Sequence, residues 1–342
     1  MKQLKGRTYQ PKPLRRAYIP KGRNQRRGLG IPAVRDRVAQ EVLRRLLEPI
    51  FDPLFHNDSF GFRKWRNCHM AIRRVLELAS QRYRFVVDAD IKAFFDSIPH
   101  ALIMAAVAQK VADGNILDIV RKFLSCGVMQ DGVLFPTTKG TPQGGVISPL
   151  LANIVLDALD RHLTSLGYLF VRYADDFVVL TKESAQAEKA LAEIDVFLTS
   201  QLNLELSPEK TRITTFSQGF DFLGFTIAAN GVRMRQKSVE RFRDKVRTLT
   251  IRCHNMDKDV IEKLNRLIRG TANYFAAAFS SCTHQFDDLD KFTRRRLRCM
   301  KYKSISRRHN FRLRLKHFGH AGLLSLSDFV SCCQRAQSIS PS

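Results

Sequence analysis

An α+β region followed by an all-helical one is the fold class that this 342-residue sequence predicts, and three observations carry it. Apolar runs of strand length alternate with amphipathic helical stretches up to about residue 230. Beyond Gly231 the spacing turns almost wholly helical and the composition basic, as in TRRRLRCMKYKSISRRHNFRLRLK at 293–316. Between them, FVRYADDFVVL at 170–180 reads as two short strands around a turn that carries Asp175 and Asp176. The change of pattern places a domain boundary close to Gly231.

Each element has its own signal. An extended piece near Ala17 to Ile19 runs into a Gly-containing turn rich in cations between Lys21 and Arg27. Val38, Val42, Leu46 and Leu47 are spaced for a helix that Pro49 is expected to end. HMAIRRVLELAS at 69–80 is a second amphipathic helix. Phe85, Val86 and Val87, then Ile91, mark a strand with Asp88 and Asp90 at its end, before a helix from about Pro99. Helices are expected over 146–166 and 184–202, on either side of the hairpin-like pair at 169–181. In QKSVERFRDKVRTLTIR, Lys and Arg share one face while Val239, Phe242, Val246 and Leu249 turn toward a core.

Lys and Arg number 57 against 32 Asp and Glu, a formal charge of +25 that calls for a polyanionic partner, nucleic acid ahead of a membrane surface. There is no apolar run of about 18 residues and no apolar stretch behind the basic N-terminus, so the chain is expected to be neither membrane-spanning nor exported. Seven cysteines, an odd number with no CxxC pair, argue against a disulfide framework or a zinc site and fit a reducing cytoplasm. His254 and His284 lack ligand spacing and read as structural.

Two adjacent carboxylates in an apolar run need a reason, because an unpaired buried charge costs several kcal/mol. Asp90 closes one predicted strand and Asp175 with Asp176 sits between two others, so the three can converge at one end of a sheet. Hard oxygen ligands suit Mg²⁺, and two such ions about 3.5–4 Å apart activate a hydroxyl and stabilise a leaving pyrophosphate. From these residues alone, an exposed hairpin turn stays open as the other reading.

The surrounding segments resemble the reverse transcriptases, specifically the group II intron-like lineage of bacteria. YADD at 173–176 is similar to the palm motif of these polymerases, and DADIKAFFDSIPH at 88–100 to the metal-binding motif before it. KGTPQGGVISPLLANIVLDALD at 139–160 resembles the nucleotide-site segment, LELSPEKT at 204–211 and FDFLGF at 220–225 the two motifs that follow, and RRGLGIPAVRDRVAQ and FGFRKWRNCHMAI two finger motifs. The resemblance implies a right-hand polymerase: fingers over 1–84, the first metal motif of the palm over 85–100, finger and palm helices over 101–135, the rest of an antiparallel palm sheet over 136–230, a basic all-α thumb over 231–320 and a tail over 321–342.

It also implies roles. Asp90 and Asp175 would hold two Mg²⁺ ions, with Mn²⁺ able to substitute, and Asp176 adds charge nearby; Ile91, beside Asp90, belongs to both the metal and the nucleotide sets. Phe95 falls at the sugar gate that excludes a 2′-hydroxyl; core packing is its other reading, a place that Phe94 can fill instead. Gln143 and Gly144 lie beside the incoming nucleotide, and Lys21 and Arg27 resemble the triphosphate clamp. Lys210 stands where the family has a candidate acid for pyrophosphate. Gly224, Lys237, Arg241, Lys245, Arg294, Arg295 and Arg296 would grip the template–primer backbone without reading sequence. The partners implied are an RNA template, a DNA primer and deoxynucleotides.

The chain departs from the family at its start, in two finger motifs and after the thumb. Little precedes PLRRAYIPK, so the usual N-terminal extension is not expected; Gly28 replaces a proline and is expected to loosen a turn; and GFRKWRN replaces a small Gly-containing version, introducing Trp65. No DNA-binding or nuclease segment is read after the thumb. These departures favour a domesticated enzyme copying a dedicated non-coding RNA, as in antiphage defence. A compact intron-encoded reverse transcriptase and maturase is the alternative, and a splicing or RNA-binding protein that no longer polymerises is a third.

Overall fold

The computed structural model describes residues 2–6, 8–20, 26–253 and 255–330, so Lys21, His254, Cys332 and Cys333 lie outside the described residues. The chain divides into two compact units, Met1–Thr214 and Thr215–Ser342.

The first unit runs α1 (Lys2–Lys5), β1 (Leu14–Pro20), β2 (Arg26–Ile31), α2 (Val34–Phe51), α3 (Cys68–Ser80), β3 (Phe85–Asp90), α4 (Phe94–Ser97), α5 (His100–Ala108), α6 (Gly114–Leu124), β4 (Val128–Gln130), β5 (Val133–Phe135), α7 (Ser148–Ser165), β6 (Leu169–Tyr173), β7 (Asp176–Thr181), α8 (Ser184–Phe197) and β8 (Arg212–Thr215). One sheet has the order β6-β7-β3-β8, with β7 antiparallel to both of its neighbours. A second sheet, β2-β1-β4-β5, pairs β1 antiparallel with β2 and parallel with β4. Strands β3 and β7 alternate apolar residues into a core shared with α7 and α8, where Val87, Ala89, Phe177, Val179, Leu151, Leu156, Ala190 and Ile194 are buried.

Pro49 does not end α2. The helix runs through it to Phe51, because Ala39, Leu43, Leu47 and Phe51 form the buried face and hold the last turn. Val38 and Leu46, two of the residues whose spacing signals this helix, are 62% and 50% exposed. Asn67 caps α3, its side chain accepting from the Met70 amide at 3.0 Å.

The second unit contains β9 (Phe220–Phe222), β10 (Phe225–Ala228), β11 (Gly231–Met234), α9 (Gln236–Leu249), α10 (Lys258–Phe275), α11 (Thr283–Tyr302), α12 (His309–Arg312) and α13 (Leu315–His320). Its strands form an antiparallel meander, β11-β10-β9. Buried Phe225 stacks on Tyr274 and packs against Phe275 and Phe279. That aromatic cluster ties the meander to α10, so the units divide ahead of the compositional change at Gly231. Of the four α9 residues expected to face a core, Val239, Phe242 and Val246 are buried and Leu249 is half-buried.

Candidate active site

The register of the first sheet brings the acidic residues together. Asp90 at the end of β3 is the antiparallel partner of Asp176 at the start of β7, and Asp176 also pairs with Tyr173 of β6. Ala174 and Asp175 are thus the two central residues of a tight hairpin. Ala174 takes φ +60, a left-handed value that costs a non-glycine residue roughly 1–2 kcal/mol and that two-residue hairpins require at their first central position. The backbone of Gly61 lies directly on this turn: a Cβ there would stand 2.3 Å from the Ala174 nitrogen and 2.9 Å from the Tyr173 carbonyl carbon. Only glycine fits.

Crowding makes these carboxylates hard to ionise. Burial, then the charges of Asp88, Asp175 and Asp90, push Asp176 up to about 7, while Lys210 opposes the shift. Asp175 is raised as well, by burial and by Asp90, and eased by Lys210 and Arg27. Lys210 reaches Asp90 Oδ2 at 2.5 Å from a turn that the Ser207 amide fastens to the Asp90 carbonyl at 2.8 Å. Arg212 lies 3.3 Å from Asp88.

This donor set fits a hard divalent cation. Burial and neighbouring carboxylates raise the pKa of both Asp175 and Asp176, and a cation placed among them would remove the penalty. No three His, Cys, Asp or Glu side chains already stand at ligand distance among the described residues; Mg²⁺ commonly takes one or two carboxylates and completes its shell with substrate phosphates. Lys210 meanwhile supplies a positive charge at Asp90.

Beside this corner lies a cleft of about 320 Å³ lined by Arg16, Gly28, Gly30, Phe95, Gly140 and Gln143, among others. Phe94 is 2% exposed and fills the core, which leaves Phe95 on the cleft wall. The Gly30 amide donates to the Gln143 carbonyl at 3.0 Å, and Gly144 takes φ +115 with the Gly30 carbonyl 3.1 Å from where its Cβ would stand. Ile91 is 1% exposed. Gly28 loosens no turn: it sits within β2 opposite Tyr18, and a Cβ would meet the end of the Arg16 side chain at 2.9 Å.

Residues 19–227, more than half of the chain, match the family model of reverse transcriptase (RNA-dependent DNA polymerase). The chain belongs to the reverse transcriptase family. Residues 239–319 match the maturase-specific domain of group II introns. Over 255 residues this reverse transcriptase is 36% identical to Protein YkfC of Escherichia coli strain K12, covering 63% of this chain and 67% of that one. It is 32% identical over 314 residues to the group II intron-encoded protein LtrA of Lactococcus lactis subsp. cremoris, covering 72% and 51%. The chain therefore spans about half of the Lactococcus protein and about two thirds of the E. coli one. Apo telomerase from Candida Tropicalis superposes with a TM-score of 0.56 over 96% of this chain and 66% of that one at 12% identity, a likeness of fold alone.

In the second unit of this reverse transcriptase, Lys237, Arg241, Lys245 and Arg295 are exposed, Gly224 takes φ +82 between β9 and β10, and Arg294 is half-buried on α11. Arg296 is engaged internally, donating to the Thr250 hydroxyl at 3.0 Å and the Thr250 carbonyl at 2.7 Å at the end of α9.

Sequence reading missed the scaffold behind the hairpin. Arg172 on β6 and Asp160 on α7 are fully buried and joined by two bonds of 2.7 and 2.5 Å. Arg172 also donates at 3.0 Å to Asn153 Oδ1 and to the Ala174 carbonyl, and Asn153 donates at 2.8 Å to the Gly61 carbonyl. This network holds both the strained turn and the glycine packed on it. The signal was in view: a cation in the apolar run FVRY needs a buried partner just as the Asp pair does.

Proposed function

We propose that this protein is an RNA-directed DNA polymerase of the cytoplasm, using Mg²⁺ to add deoxynucleotides to a primer 3′ end on an RNA template, with Mn²⁺ able to substitute. The observation that carries this reading is the register pair Asp90–Asp176 with Asp175 on the turn between, in a chain of this family. Asp90 and Asp175 would hold the metal, with Ile91 alongside and Asp176 adding charge. Magnesium bound there supplies activation of the primer hydroxyl and neutralises the leaving pyrophosphate. Arg27, whose charge already reaches Asp175, and Lys21 would receive the triphosphate. Phe95 forms the floor under the sugar, Gln143 and Gly144 the wall beside the base. Lys210 would return a proton to the departing pyrophosphate once Asp90 turns to the metal. Gly224, Lys237, Arg241, Lys245, Arg294 and Arg295 would contact the template–primer backbone, with Arg296 acting through its cap on α9.

Intron RNA is the partner that the second unit favours, since its match is to a maturase-specific domain. Dedicated copying of another non-coding RNA, as in antiphage defence, is the other outcome to test, and sequencing the RNA that copurifies with the protein separates them: intron domains are expected. For catalysis, Asp175→Ala should lower Mg²⁺-dependent deoxynucleotide incorporation by a factor of about 10³ or more while leaving RNA affinity within about twofold. Undiminished synthesis by that variant removes the site assignment.

A further inference from the structure

Trp65 is the one tryptophan in the sequence and is 94% exposed. It also stands at φ +62, where a bulky side chain costs roughly 1–2 kcal/mol that glycine would not. A large apolar ring in water on a strained backbone is unfavourable on both counts, and neither serves the packing of this unit.

The loop that carries it is built to be stiff. At one end Gly61 is wedged against the catalytic turn. Arg63, its side chain 5% exposed, donates to Asp52 Oδ1 at 2.8 Å and to the carbonyls of Asp52, His56 and Ser59 at 2.8, 2.8 and 2.9 Å, and its guanidinium stacks over Phe55. Arg66 bonds to Asn57 and lies over Phe60, while Lys64 pairs with Glu48 at 2.7 Å. The aromatics go the other way: Phe62, also left-handed at φ +59, is 49% exposed and meets Phe95 edge-on at 6.2 Å. The cations of this loop serve as struts and its rings face solvent, the reverse of an ordinary surface loop.

We propose that Trp65 is a stacking platform for an unpaired base of the RNA template on its way to the nucleotide cleft. The inference deepens the polymerase reading and rests on it. A template must be held single-stranded ahead of the site without regard to sequence, and an aromatic face does this because every base has a π-surface. A strand suits the surface better than a protein does: the chain carries +25, and the same short loop meets the hairpin turn through Gly61 and, through Phe62, the Phe95 ring that lines the cleft.

Because Trp65 is the one tryptophan, its emission reports on this position alone. Titrating the full-length protein with an unstructured single-stranded RNA should quench that emission saturably, in step with binding followed by anisotropy. An abasic strand of equal length should bind through its phosphates and leave the emission in place. Trp65→Gly, which removes the backbone strain, should melt no lower than the parent yet bind the RNA about tenfold more weakly or worse; Trp65→Phe should recover part of the loss. Unchanged emission at saturating RNA, equal quenching by the abasic strand, undiminished affinity of Trp65→Gly, or emission that shifts with protein concentration alone would each overturn the platform. Deoxynucleotide incorporation measured on the same preparation keeps the two readings apart: synthesis without quenching refutes the platform only, and quenching without synthesis refutes the polymerase.

Discussion

Two sets of buried charge sit on the hairpin of β6 and β7, and the fold treats them in opposite ways. Behind the turn, Arg172 and Asp160 are fully buried and matched, with Nη1 of the guanidinium donating to Asn153 and to the Ala174 carbonyl. In front of it, Asp175 and Asp176 crowd against Asp90 and Asp88, and burial and mutual repulsion raise the pKa of both. The rear set is complete once the chain has folded. The front set is completed by what binds, so the same strand pair carries a scaffold and an unmet electrostatic demand about one residue apart.

Removing one member from each set should move stability in opposite directions. Arg172→Ala leaves Asp160 as an uncompensated buried charge and should cost about 3–5 kcal/mol in urea denaturation, while Arg172→Met combined with Asp160→Leu should recover most of it. A single-variant loss under about 1 kcal/mol would mean that the pair does not hold the turn. Asp176→Asn should do the reverse. The folded protein keeps a proton on Asp176 up to about pH 7, whereas the unfolded chain releases it near 3.8, the ordinary aspartate value. Between those limits the unfolded state binds fewer protons, so Asp176 destabilises the fold progressively from about pH 4 and fully above pH 7. In the absence of divalent metal the variant should melt about 5 °C above the parent at pH 8 and at the same temperature near pH 4. Mg²⁺ should raise the parent's melting temperature more than the variant's, and an equal response would place the ion elsewhere.

How legible this contrast is in the sequence depends on how local the cause is. Asp175 and Asp176 announce themselves because two carboxylates interrupt an apolar run, and Asp90 because it closes a predicted strand; sheet register then does what alternation implies. Arg172 lies in the same run and follows the same rule, but its partners Asp160 and Asn153 share one face of α7, 12 and 19 residues earlier, so no pattern within the strand links the three. Gly61 is illegible for a similar reason: its constraint comes from a turn more than a hundred residues later. The exposed faces of Val38 and Leu46 on α2 show the opposite error, where a correct helical period selected residues that the fold leaves in solvent. The proline that the family has in place of Gly28 suggests a turn, whereas pairing with Tyr18 makes Gly28 a strand residue.

The smallest expected effect tests whether Lys210 belongs to the front set at all. Its ammonium touches Asp90 and lowers the pKa of both Asp175 and Asp176, yet the side chain is half exposed, so solvent screens much of that influence. Lys210→Gln removes the charge and keeps a hydrogen-bonding group of similar length. The two carboxylates should then hold their protons to higher pH and compete less well for metal below neutrality. Incorporation at pH 8 and saturating Mg²⁺ should fall about two- to fivefold, and the deficit should widen as pH drops toward 6.5 and narrow as Mg²⁺ is raised. A deficit independent of both pH and Mg²⁺ would assign Lys210 to pyrophosphate protonation alone, where its work comes after the metal is bound.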